Sequence, residues 1–137
     1  MDLTALSKLA ITRGTILCGH FDKIDHPKFF VIIGENEKQF VGFFFINSDI
    51  HQSIRNKQAQ FEMQMQIRKT DYDFLNYDSF IGADKINIIS KAKLASDIVN
   101  GKTQIKGNIT FQDMSMLIDA VRESKIFSEI EKDTFFK

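Results

Sequence analysis

The chain has 137 residues, 43% of them hydrophobic, with 18 Lys and Arg matched by 18 Asp and Glu. That length suits one domain with its own core, and that apolar share excludes a disordered chain. Zero net charge excludes a global field that would gather nucleic acid, and a single cysteine, Cys18, excludes an intrachain disulfide.

In chain order, residues 1–12 read as a short helix, with Leu3, Leu6, Leu9 and Ala10 at helical spacing and Asp2 or Thr4 as its cap. Arg13-Gly14 ends it, and residues 15–22 read as a first strand. Gly19 within that strand suggests a bulge or a close backbone approach, and Cys18 reads as a buried, inert thiol. The stretch HPKFFVIIGENEKQFVGFFFINS, residues 26–48, is the most informative. Two apolar runs, 29–33 and 40–46, flank a polar turn begun by Gly34, so they read as paired, largely buried strands. A hairpin brings its open ends side by side. His26 and Lys28 at one end therefore meet Asn47 and Ser48 at the other.

Residues 48–60 read as a long polar surface loop with at most a helical turn. Residues 61–68 (FEMQMQIR) alternate, with Phe61, Met63, Met65 and Ile67 on the core side, as a half-buried strand does. Residues 69–76 read as an acidic, turn-rich connection. A strand over 79–89 follows, then an extended segment over 91–99. Asn100-Gly101 is a hairpin signal, with a returning strand over 102–109. Thr110 heads a capping box for a helix over 111–123, striped by Met114, Leu117, Ile118 and Val121. The tail, 124–137, reads as a second helix. The order predicts a mainly β, α+β domain: a small antiparallel barrel of about six strands with helices at its ends, and Phe-rich strands suit its interior.

Several chemistries are excluded. No Gly-rich phosphate loop precedes a helix, no histidine pair has metal-ligand spacing, and no nucleophile elbow marks a serine. No cofactor and no metal are expected. No N-terminal apolar stretch is long enough for a signal peptide or a membrane span, so a soluble cytoplasmic protein is expected. Charge is unevenly spread. Residues 71–84 hold four Asp and no Lys or Arg, whereas 85–106 hold five Lys and one Asp, Asp97. A basic face opposite an acidic one and a plain solvated surface both fit that pattern. What remains is chemistry that needs little, and metal-independent RNA cleavage is such a reaction. The substrate supplies its own 2′-hydroxyl. The protein orients the phosphate, stabilises added negative charge and moves two protons.

Five short motifs occur in order: Arg13-Gly14-Thr15-Ile16, Pro27-Lys28-Phe29-Phe30-Val31-Ile32-Ile33-Gly34, Phe43-Phe44-Phe45-Ile46-Asn47-Ser48, Ala83-Asp84-Lys85-Ile86-Asn87-Ile88-Ile89 and Gly107-Asn108-Ile109-Thr110. In that order they resemble the MazF/PemK (Kid) family of toxin endoribonucleases. The family opens with a Gly-led strand, has a basic residue leading an apolar strand, and ends the next strand in Thr or Ser. An Asp precedes a later alternating strand, and a Gly-x-apolar-Thr/Ser run leads to the last helix. The resemblance spans residues 13–123, leaving 1–12 and 124–137 as additions within one domain. It implies an SH3-like β-barrel, a homodimer, single-stranded RNA as substrate and an antitoxin protein as partner. The family's Arg-Pro is absent. Lys28 stands near the Arg position with Pro27 before it, and a lysine is a point charge without a bidentate clamp.

By this resemblance Lys28 stabilises the transition-state phosphate and Ser48 bonds or orients it. His20 and His26 are candidates for proton transfer, since histidine exchanges protons near neutral pH. Arg55, Lys57, Lys91 and Lys93 are candidates for contact with the RNA backbone. Asp84 reads either as a site acid or as a structural acceptor. Each residue also has a plainer role, Lys28 as the soluble start of a strand and Ser48 as a turn hydroxyl. The rival to a nuclease is a non-catalytic module on the same fold that binds RNA or a protein partner.

Overall fold

The computed structural model describes residues 11–36 and 40–136. The helix expected over 1–12 therefore lies, but for its last two residues, outside the described residues, as do positions 37–39 of the expected turn.

The two apolar runs form the centre. β2 (Lys28–Glu35) and β3 (Phe40–Asn47) pair antiparallel from Phe29 opposite Ile46 to Glu35 opposite Val41. Alternate side chains enter different cores. Val31, Ile33, Phe44 and Ile46 pack on one face, and Phe30, Ile32, Val41 and Phe43 on the other. Burial on both faces is why these runs are continuously apolar instead of alternating. β1 (Thr15–Gly19), shorter than expected, lies beside β2, and β7 (Thr103–Asn108) lies beside β1.

The other edge of β3 is divided between two strands. Its first half, Phe40 to Phe43, pairs with β6 (Asn87–Ser90). Its end, Ile46 and Asn47, pairs with β5 (Ser79–Gly82), which in turn pairs with β4 (Gln64–Ile67). All seven strands are antiparallel to their neighbours, in the order β4-β5-β3-β2-β1-β7 with β6 also on β3. Among the described residues the sheet does not close, because β4 and β7 end the path without pairing to each other. The protein is thus of the expected α+β class, built on an antiparallel sheet.

Helices cover both faces. α4 (Phe111–Glu123) and α5 (Glu129–Phe135) seal the larger core with Leu117, Val121, Phe127, Phe135 and Phe136. Phe136 stacks on Phe44 with ring centroids 5.9 Å apart. Thr110 caps α4 as the sequence predicts, accepting from the Asp113 amide at 3.1 Å. The opposite core is closed by α3 (Lys91–Val99) through Leu94 and Ala95. This corrects the extended segment expected there. Ser90 caps α3, and Asn100-Gly101 ends it, with Gly101 at φ +79. A left-handed glycine serves a helix terminus as well as a hairpin.

Three smaller corrections concern the middle of the chain. The strand expected over 79–89 breaks at 83–86, where the chain passes from β5 to β6 along β3. The alternating strand narrows to β4, and Phe61 ends a short helix. The polar loop carries two such helices, α1 (Gln52–Arg55) and α2 (Gln58–Phe61). α5 rests on a glycine pair: Gly34 faces Gly42 across the hairpin. A β-carbon on Gly34 would stand 2.2 Å from the Phe135 carbonyl oxygen, and one on Gly42 2.8 Å from the Phe135 ring. No described helix is long and apolar enough to cross a membrane.

Candidate functional site

β2 begins and β3 ends at the same edge, so Lys28 and Asn47 meet across the hairpin. The Lys28 ammonium donates to Asn47 Oδ1 and lies 5.5 Å from the centroid of the Phe45 ring. Partial burial there pushes the Lys28 pKa below that of a solvated lysine. Ser48 follows at once in the chain. The pairing of β4 with β5 sets Gln64 opposite Gly82. Gln64 Nε2 donates to Asp84 Oδ1 at 2.9 Å and to the Gln60 carbonyl at 3.1 Å.

These groups line one cleft of about 600 Å³ together with His51 and Arg55. His51 caps α1: its Nδ1 accepts from the Ser53 amide at 3.1 Å, and the Ser53 hydroxyl lies 2.8 Å away. The ring proton of the neutral tautomer is thereby placed on Nε2. Arg55 donates to Asp49 Oδ1 at 2.9 Å and to the Ile50 carbonyl at 3.1 Å. The Asp49 carboxyl is held below its ordinary range, first by the Ile50 amide and then by Arg55.

A second, smaller cleft of about 190 Å³ shares Lys28 and Ser48 with the first and adds His26. His26 Nδ1–H donates to Asp25 Oδ1 at 2.8 Å. That hydrogen bond lowers the pKa of Asp25 and leaves His26 Nε2 as the basic nitrogen. Lys28 and Ser48 therefore form a shared wall, with His51 on one side and His26 on the other.

The remaining sequence candidates lie apart from this wall. His20 lines a small cleft beside α3 with Lys93, Asp97 and Lys102. Lys91 pairs with Glu35 at 2.8 Å, and Lys93 with Asp97 at 2.9 Å. Lys57 is exposed at the start of α2. Two cleft residues escape sequence reasoning: Gln64 reads as the wet side of an alternating strand, and His51 as one polar residue in a polar loop. The signal for Gln64 is its polar register in FEMQMQIR; only strand pairing shows that this register faces Asp84.

No protein-family model matches this chain, and no match is found among curated proteins.

Proposed function

We propose that this protein is a metal-independent endoribonuclease of the toxin type, acting on single-stranded RNA. Its open sheet is read as a divergent SH3-like barrel of the MazF/PemK kind, working as a homodimer restrained by an antitoxin. One observation carries the reading: a lysine and a hydroxyl form the wall shared by two clefts at the open end of the β2–β3 hairpin, one lined by His51 and the other by His26.

The chemistry balances with these groups. His26 Nε2 takes the proton of the 2′-hydroxyl as O2′ attacks phosphorus. Ser48 and the Nε2–H of His51 donate to the non-bridging oxygens, and the Lys28 ammonium offsets the added charge. The bond from phosphorus to O5′ breaks, and Lys28, made a readier acid by burial, protonates the leaving oxygen. The products are a 2′,3′-cyclic phosphate and a 5′-hydroxyl end, and solvent returns the proton from His26 to Lys28.

A second reading rests on Asp49 and Asp84. These carboxylates share the cleft with Lys28 and Arg55 and offset their charge, as suits a module that holds RNA or a protein without cleaving.

The test is cleavage of a long single-stranded RNA in EDTA. Wild type is expected to leave cyclic phosphate ends, and Lys28→Ala to lose about 100-fold or more in rate, the usual size of a lost transition-state donor. Intact RNA with wild type would sink the nuclease and favour the binding module. Equal cleavage by both proteins would remove Lys28 from the mechanism.

A further inference from the structure

Two amides in the larger cleft are held by one end only. Lys28 has three donors and no acceptor, so its contact fixes Asn47 Oδ1 and leaves Nδ2 as the outward end. Gln64 Nε2 donates to a carboxylate and a carbonyl, both pure acceptors here, which leaves Oε1 as its outward end. Neither outward atom has a hydrogen-bond partner among the described residues. Both face one spot. A β-carbon on Gly82 would stand 3.3 Å from Asn47 Nδ2, 3.5 Å from Gln64 Oε1 and 3.5 Å from Asp84 Oδ1. Glycine leaves that spot without a β-carbon, and all three side chains line the cleft beside Lys28.

The cluster thus offers one donor, Asn47 Nδ2, and two kinds of acceptor, Gln64 Oε1 and the lone pairs of Asp84 not used by Gln64. Its complement is one acceptor beside two donors. Among the Watson–Crick edges of unpaired bases, only guanine presents that set, with O6 as acceptor and N1–H and the N2 amine as donors. Adenine and cytosine each offer one donor group there, and uracil one donor between two acceptors. Because the amides are already pinned by Lys28, Asp84 and Gln60, little ordering cost falls on binding.

We propose that Asn47, Gln64 and Asp84 form a subsite for one unpaired guanine, next to the phosphate position at Lys28. It rests on the reading of this cleft as an RNA site, though not on cleavage.

The experiment uses the full chain and 2′-O-methyl heptauridylates, which lack the nucleophile, carrying A, C, G, inosine or U at the centre. Binding is followed by fluorescence anisotropy in EDTA. The guanine oligomer is expected to bind about tenfold more tightly than the others, or about 1.4 kcal/mol. Inosine lacks the N2 amine and should lose most of that preference with the protein unaltered. Gln64→Ala and Asp84→Asn should bring the ratio within about twofold of one. Equal binding of all bases, preference for another base, or inosine matching guanine would overturn the subsite. Cleavage of RNA without guanine bias would overturn the subsite alone. Guanine-selective binding without cleavage would support it and sink the nuclease alone. No binding of any oligomer would sink both.

Discussion

Lys28 is under two opposed demands. Its ammonium is drawn under partial cover beside Phe45, where burial lowers its pKa. A lysine whose pKa is depressed on folding binds its proton more tightly in the unfolded chain. Its cost is therefore fully present at neutral pH and is relieved only as pH rises through the folded value toward 10.5. Lys28→Met is accordingly expected to melt no lower than wild type while losing RNA cleavage, as calorimetry and the cleavage assay would show together. A clear drop in melting temperature would mean that the Asn47 and Phe45 contacts outweigh desolvation. Tyr72 is the opposite case. Its hydroxyl donates to Asp113 Oδ2 at 2.6 Å and accepts from the Thr110 amide at 3.1 Å, tying residue 72 to the start of α4. Burial, then the Asp113 contact, raises its pKa above 10.0. The stability it contributes is complete below about pH 10 and is lost above it, where the unfolded chain ionises first. Tyr72→Phe should cost about 1–2 kcal/mol at neutral pH. It should also flatten the alkaline fall in stability, measured by urea unfolding at pH 7 to 11.

At the scale of elements, the parts read correctly are those with a local cause. The β2–β3 hairpin follows from two apolar runs around a glycine-led turn, and α4 from Thr110 and the stripe through Leu117 and Val121. The parts misread are those decided at a distance. α3 looks extended because it directly follows the strand-like stretch at 86–89, and because Asn100-Gly101 suits a hairpin as well as a helix end. The division of β3 between β5 and β6 has no mark in the sequence, since it arises from which strand reaches which half of an edge. The same holds for the cleft. Lys28, Asn47 and Ser48 are brought together by one hairpin and are legible, whereas Gln64 and Asp84 join them only through the pairing of β4, β5 and β3. The docking of α5 is equally remote from its receptor. Gly34→Ala would force a β-carbon against backbone, which cannot swing aside as a side chain does. A loss of roughly 1–3 kcal/mol is expected, read from denaturant unfolding. An unchanged midpoint would show that α5 moves freely to make room.

Taken as a whole, the molecule is a sheet walled by helices on both sides, with the two candidate clefts at the open end of the central hairpin and with β4 and β7 at the ends of the strand path. Every strand that shapes the clefts has been passed by residue 84, yet the larger core waits for Phe127, Phe135 and Phe136. The seam between them is narrow. Arg13 donates to the Ile33 carbonyl at 2.8 Å and to the Phe135 carbonyl at 2.9 Å, a link across 122 positions of chain. Contacts so distant in sequence slow the search for the native state and come late in it. On a ribosome, the hairpin emerges long before the helix that will lie upon it, and its apolar face stays open in the interval. Premature termination before α5 would then release a sheet with one apolar face part-uncovered and prone to self-association. Quality control, not catalysis, would decide the fate of such a fragment.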